Sequence, residues 1–182
     1  MTELFKKMPE LLFSISSITR AMRAGEREGE KYNFITRERF EDMLKNDRLL
    51  EHNEFVGNYY GTPREPVERA VANGQDMVIE VDVNGAAQIR EKMPEAVSIF
   101  IMPPSFAELK RRLSGRGTES EELIQKRLAS ALGEIKRAAE YDYIVVNEDI
   151  TAAADDIMSV ILSSRLKTDR QTKIIDEVLS EC

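Results

Sequence analysis

The stretch DMVIEVDV, residues 76–83, sets the fold class. Its apolar, β-branched run is too short for an ordinary helix and is read as a strand buried on both faces. Helices flank it. PREPVERAVANG (63–74) is a helix closed by Gly74, and Gly85 begins another that runs through Ile89 and Met93. Two more runs, AVSIFIM (96–102) and YIVV (143–146), repeat the strand pattern, and each is followed by a helical segment. Strands alternating with helices imply an α/β fold with a parallel sheet covered on both faces. In such sheets ligands bind beyond the carboxyl ends of the strands.

Upstream, Leu4, Phe5, Met8, Leu11 and Leu12 recur at helical spacings, and Pro9 ends that helix near Met8. LLFSIS (11–16) then reads as a short strand. Thr36 caps a helix over 36–46 with Phe40, Met43 and Leu44 on one face. LLEHNEF (49–55) and the approach to NYYGTP (58–63) are extended. The segment from about 33 to 75 breaks the strand–helix alternation and is read as an inserted α+β subdomain. Downstream, PPS (103–105) stops one strand and starts a helix. Two capping boxes, Ser105 with Glu108 and Thr118 with Glu121, open helices on either side of SGRGT (114–118). After YIVV a helix from Thr151 turns Ile157, Val160 and Ile161 inward. The tail QTKIIDEVLS (171–180) carries an apolar stripe of Ile174, Ile175, Val178 and Leu179, a pattern of core or of contact between copies.

The chain has 182 residues, 42% apolar and 32% charged, which fits one globular domain. A net charge of −7 argues against a non-specific grip on nucleic acid. No run reaches membrane-spanning length, so no membrane partner is expected. The single cysteine, Cys182, cannot form an internal disulfide, and a cytoplasmic location is expected. The single histidine, His52, excludes a His-rich metal site.

Any phosphate bound by this acidic protein must therefore meet locally concentrated arginines. Arg20 and Arg23, with Ser16, Tyr32, Tyr60 and Thr62 as companions, suit a phosphate monoester; taken by spacing alone, two solvated surface arginines explain them as well. Glu51 lies in apolar surroundings and Asp82 inside the strand run, where an unpaired charge is costly. A carboxylate there accepts the paired N–H donors of a guanine ring, or caps a helix or pairs with an arginine. Glu80, on the same face as Asp82, suits a magnesium ion met through water. Arg112, Arg116 and Arg127 can converge on one anion, as phosphoryl transfer requires, or can pair with Glu121 and Glu122 along their helices.

Six stretches in order and spacing, SISSITRAMRAGEREGEKYNF (14–34), LLEHNEFVGNYYGTP (49–63), VIEVDVNGAAQI (78–89), IFIMPPS (99–105), RRLSGRGTESEELIQKRL (111–128) and YDYIVVNEDI (141–150), resemble guanylate kinases of the bacterial type over about residues 4–168. The resemblance implies a P-loop-kinase-like three-layer parallel sheet, a GMP-binding subdomain at 16–75 and a lid at 107–128. It implies transfer of phosphate from ATP to GMP with Mg2+. It gives the GMP phosphate to Ser16, Arg20, Arg23, Glu26, Tyr32 and Tyr60, and the base to Glu51, Thr62 and Asp82. Catalytic roles fall to Arg20, Arg112, Arg116 and Arg127, and Asn147 stands where the adenine surroundings begin.

The chain departs from the family in places. Ile18 and Thr19 stand where two threonines are usual, Met22 replaces a common proline, and EVDVNG replaces Asp-x-Asp-x-Gln-Gly. The larger departure is the donor half. No G-x-x-x-x-G-K-[ST] loop occurs in these residues, and GEREGEK (25–31) does not replace it, because three glutamates would repel phosphate. The first strand is likewise expected to be missing. Binding of GMP with strongly reduced turnover is expected, as is self-association through the sheet gap or the C-terminal helix. A non-catalytic binding module of guanylate-kinase-like type is the alternative.

Overall fold

The computed structural model describes residues 1–114 and 121–181. Arg116 and Thr118, and with them the second capping box, lie outside the described residues. The chain divides into two compact units, one formed by Glu10–Ala96 and the other by Met1–Pro9 with Val97–Cys182.

In the first unit, β1 (Leu12–Phe13) pairs in parallel with β6 (Met77–Val78). A second sheet of four strands has the order β3 (Tyr32–Phe34), β2 (Ser16–Ile18), β5 (Asn58–Pro63), β4 (Leu49–Phe55). The β2–β3 pair is parallel, whereas β5 runs antiparallel to both its neighbours. Three helices complete the unit: α2 (Arg37–Lys45), α3 (Arg64–Ala72) and α4 (Val83–Lys92). Thr36 caps α2 as its sequence suggests, accepting from the Arg39 N–H at 3.2 Å. The large side chains sealed inside are Phe40, Ile18, Leu49 and Leu50, with Thr62 beside them. Ile18, where the family more often has a hydroxyl, is completely buried, and Thr19 keeps its hydroxyl in use by accepting from the Tyr59 N–H at 2.9 Å.

The stretch 76–83 behaves differently from its reading as one doubly buried strand. The parallel ladder ends at Val78, where the Ser14 N–H donates to the Val78 carbonyl. Beyond that point the chain from β1 enters β2 and pairs in the other sheet, so 79–82 lose their ladder partner. Their backbone still alternates. Met77, Ile79 and Val81 pack against the cluster of Leu50, Val67 and Ile89, while Glu80 and Asp82 are exposed on the opposite side. One face is core and the other is free to carry a site.

In the second unit, β7 (Ile99–Met102) and β8 (Tyr143–Val146) form a parallel pair, α1 (Thr2–Lys7) packs on α7 (Ile150–Arg165), and α5 (Phe106–Ser114) packs on α6 (Glu121–Lys136). The helix α8 (Thr172–Ser180) closes the chain. The two strands are less buried than their apolar sequence implies. In β8 only Val145 is sealed, while Tyr143, Ile144 and Val146 remain substantially exposed, because a lone two-stranded sheet offers its residues few neighbours. On α7 the residues turned furthest inward are Ala153, Ala154 and Ser164, with Ile157, Val160 and Ile161 half-buried.

Candidate functional site

The carboxyl end of the 76–83 stretch opens on a cleft of about 370 Å³ lined by Phe13, Ser16, Lys31, Tyr32, Glu80, Val81 and Asp82. Ser16 and Tyr32 are side by side there because they are register partners in β2 and β3. Next to them, Arg20 lies 5.4 Å from the centre of the Tyr32 ring and 5.5 Å from that of Phe34. Its guanidinium donates to both oxygens of Glu26, at 2.7 and 2.6 Å, and Glu26 also accepts from the Arg23 N–H at 2.7 Å. A planar fork on a planar carboxylate holds Arg20 in one orientation. The hydrogen bond from Arg20, then that from the Arg23 N–H, pushes the Glu26 carboxyl down to about 2. Arg20 is raised further above its ordinary range, chiefly by Glu26, against the opposing effect of burial and with a contribution from Tyr60. Tyr60 itself reaches this neighbourhood as the register partner of Ile18. Of the six residues expected around a phosphate, all lie in this one region of the first unit.

The acidic side is built from β4 and the start of α4. Glu51 is 5% exposed, and one of its oxygens accepts from the fully buried Thr62 hydroxyl at 2.7 Å. Burial pushes the Glu51 carboxyl up; the Thr62 hydrogen bond opposes this and the charge of Asp82 adds to it. The close fit of Glu51 explains a glycine. A Cβ on Gly85 would stand 2.8 Å from the Glu51 Oε2 and 3.0 Å from the Val81 Cβ. Asp82 caps α4, its Oδ1 accepting from the N–H groups of Asn84 at 2.9 Å and Gly85 at 2.8 Å, and its Oδ2 accepts from the Asn53 Nδ2 at 2.6 Å. Of the readings open to Asp82 in sequence, the structure shows the helix cap.

Glu80 lines the cleft with an exposed carboxylate. Among the described residues no cluster of three or more acids, histidines or cysteines is arranged to hold a metal ion directly. Tyr59 faces away from this chemistry: it stacks on Phe40 at 5.2 Å, and its hydroxyl accepts from Arg37 at 2.6 Å.

In the second unit, Arg112 does not pair with the glutamates of α6. Its Nε donates to Glu108 one turn earlier at 2.7 Å, and Arg111 donates twice to the same carboxylate at 2.6 Å, pushing Glu108 down to about 2. Arg127 lies on α6, packed against α5.

Reading from sequence overlooked Lys31, Asn53 and Gln88. Lys31 ends the glutamate-rich GEREGEK stretch, which does not suit a phosphate loop, yet it lines the cleft. Asn53 was detectable in principle, since it follows Glu51 by two residues on a strand and shares its face. Gln88 clamps the edge strand β4: its Oε1 accepts from the His52 N–H at 3.1 Å and its Nε2 donates to the His52 carbonyl at 2.9 Å. Nothing in the local sequence signals that contact.

The family model for guanylate kinase matches residues 1–164. A guanylate kinase of Desulfitobacterium hafniense (strain Y51) is 44% identical over 176 residues, covering 97% of this chain and 88% of that protein. That of Escherichia coli (strain K12) is 48% identical over 168 residues, covering 92% and 81%. The crystal structure of guanylate kinase from Anaplasma phagocytophilum superimposes with a TM-score of 0.78 at 39% identity, covering 93% of this chain and 84% of that one. The chain belongs to the guanylate kinase family. No helix among the described residues is long and apolar enough to cross a membrane.

Proposed function

We propose that this chain binds GMP in the cleft of its first unit as the acceptor of a phosphoryl group from ATP, with Mg2+. The observation that carries the reading is the polarity of that cleft. Ser16, Lys31 and Tyr32, beside the fixed Arg20, supply donors and positive charge for a phosphate, while Asp82, with Glu51 and Thr62 behind it, supplies acceptors for the N–H groups of guanine. Arg23, Glu26 and Tyr60 complete the phosphate side. A region of about 16–75 acts as the GMP-binding subdomain and 107–128 as the lid. Catalytic roles go to Arg20, at the GMP phosphate, and to Arg112, Arg116 and Arg127 on the ATP side, since phosphoryl transfer needs positive charge to neutralise the moving group. Glu80 fits a magnesium ion met through water, since its carboxylate is exposed in the cleft and the ATP phosphates furnish the direct ligands.

The 182 residues contain no G-x-x-x-x-G-K-[ST] stretch. Losing one preorganised donor can slow such a reaction by about 10²–10³, so these residues alone are expected to bind GMP and turn over slowly. The apolar stripe of α8, with Ile174, Val178 and Leu179 exposed, supports association between copies. Calorimetry with GMP tests the site: wild-type binding that disappears in Asp82→Ala supports it, and absence of any GMP binding favours a non-catalytic binding module instead. A coupled assay for ADP then tests turnover, comparing this chain with one carrying a phosphate loop ahead of Met1. Equal rates would refute the dependence on that loop.

A further inference from the structure

We infer that Asn53 is a positioning residue that sets base selectivity by holding Asp82. The inference rests on the proposed reading of Asp82 as an acceptor for guanine. Asp82 is exposed, and the two N–H groups of α4 engage only its Oδ1. Those bonds leave the carboxylate plane free to twist about the Cβ–Cγ bond, a soft sp³–sp² torsion. A twist moves Oδ2, and two N–H donors on a rigid planar base are met only when the carboxylate plane lies near that of the base. Asn53 removes this freedom by donating to Oδ2 at 2.6 Å.

Asn53 is itself well anchored. It lies on β4 opposite Tyr60, two residues from Glu51, so the strand alternation presents both side chains on one face. The adjacent His52 backbone is clamped to α4 by both polar atoms of Gln88. The strand that carries Glu51 is thereby tied to the helix that Asp82 caps, and Asn53 is the tie that ends on the reading oxygen. The charge of Asp82 also fixes the orientation of the Asn53 amide, because the flipped amide would set oxygen against oxygen. Asn53 need not touch the nucleotide to act in this way.

The test is calorimetric titration of wild type, Asn53→Ala and Asn53→Asp with GMP and, separately, with AMP, whose phosphate end is identical but whose base lacks the paired donors. Asn53→Ala should lower GMP affinity about tenfold, the scale of one charge-assisted hydrogen bond, and leave AMP affinity unchanged. Asn53→Asp keeps the shape but replaces the donor with a second acceptor facing Asp82, so its loss of GMP affinity should be larger, again without change for AMP. Unchanged GMP affinity in Asn53→Ala, or parallel loss of GMP and AMP binding in either variant, overturns the inference. Asp82→Ala is the companion control. If it abolishes the preference for GMP while both Asn53 variants keep it, only the positioning role fails. If Asp82→Ala keeps the preference, the assignment of Asp82 to the base fails, and this inference with it.

Discussion

Glu51 and Glu26 show how two carboxylates of the same ordinary acidity are driven apart by their surroundings. Glu51 is buried and raised, so its ionisation costs stability. The cost is absent below the ordinary carboxylate value of 4.5 and grows as pH rises through the raised value. Glu51→Gln keeps an acceptor for the Thr62 hydroxyl. It is expected to be at least as stable as wild type at pH 8, with the difference shrinking toward pH 4, while losing affinity for GMP; thermal melts across pH and calorimetry read both. Gly85→Ala makes the complementary point, because the added methyl meets Glu51 Oε2 at 2.8 Å and Val81 at 3.0 Å, with packed chain on both sides. A destabilisation of about 1–3 kcal/mol is expected from such overpacking, together with weaker GMP binding because Glu51 must shift. A melting temperature equal to wild type would contradict it. The pairing of Glu51 with Thr62 was open to inspection in sequence only as two polar residues eleven apart. Their contact comes from the antiparallel register that sets them opposite each other in β4 and β5.

At the scale of elements, the hairpin β4–β5 carries a local conflict. Val56 and Gly57 form its two-residue turn, and both have positive φ, 51° and 72°. Gly57 adopts this without strain, but a β-branched valine does not, and asparagine is the residue such turns favour. Val56→Asn is expected to stabilise the protein by about 0.5–1 kcal/mol, the scale of relieving an unfavourable backbone position, measured by denaturant titration. The clamp from Gln88 makes a second expectation at this scale. β4 is an edge strand, and the His52 N–H donates not to β5 but to that side chain. Gln88→Ala should speed amide exchange at His52 while leaving the amides between β4 and β5 protected. The pair β7–β8 also separates two readings of one apolar run: Val145→Ala, at a 4% exposed position, should cost about 2 kcal/mol or more, and Ile144→Ala, at 50%, much less.

For the whole molecule, each of the two units contains a glutamate held near 2 by arginine, Glu26 in one and Glu108 in the other. A depressed carboxyl contributes stability that is present above its unfolded value near 4.5 and is lost as pH falls toward 2. Acid unfolding is therefore expected to draw on both units between about pH 4.5 and 2. Glu26→Gln and Glu108→Gln should each flatten the acid limb, read by far-UV circular dichroism, and an unaltered limb in both would show that these pairs do not couple to folding. Much of this organisation was visible in sequence. The helix start at Thr36 was legible because its cap is local, while the starts expected at Gly85 and Thr151 lie at Val83 and Ile150, where Asp82 and Asp149 cap the first N–H groups. The strand over 76–83 was visible as an element but not in its extent, because the length of a strand depends on how far its partner runs alongside.

The sequence by itself determined the α/β class and the family, since caps, buried strand runs and six motifs in register are readable within short windows, whereas the division of 11–18 between two sheets and the strand at 32–34 follow from pairing with distant partners. It also named the acids and arginines of the site as residue types suited to a phosphate and a purine. Only the tertiary structure decided which of them lie together. The pairing of Arg20 with Glu26, the burial of Glu51 against Thr62, the exposed face that lifts Glu80 and Asp82 into a cleft, and the bond from Asn53 to Asp82 all depend on register and on helix–strand docking. These are contacts between residues distant in sequence, and no local preference of the chain encodes them.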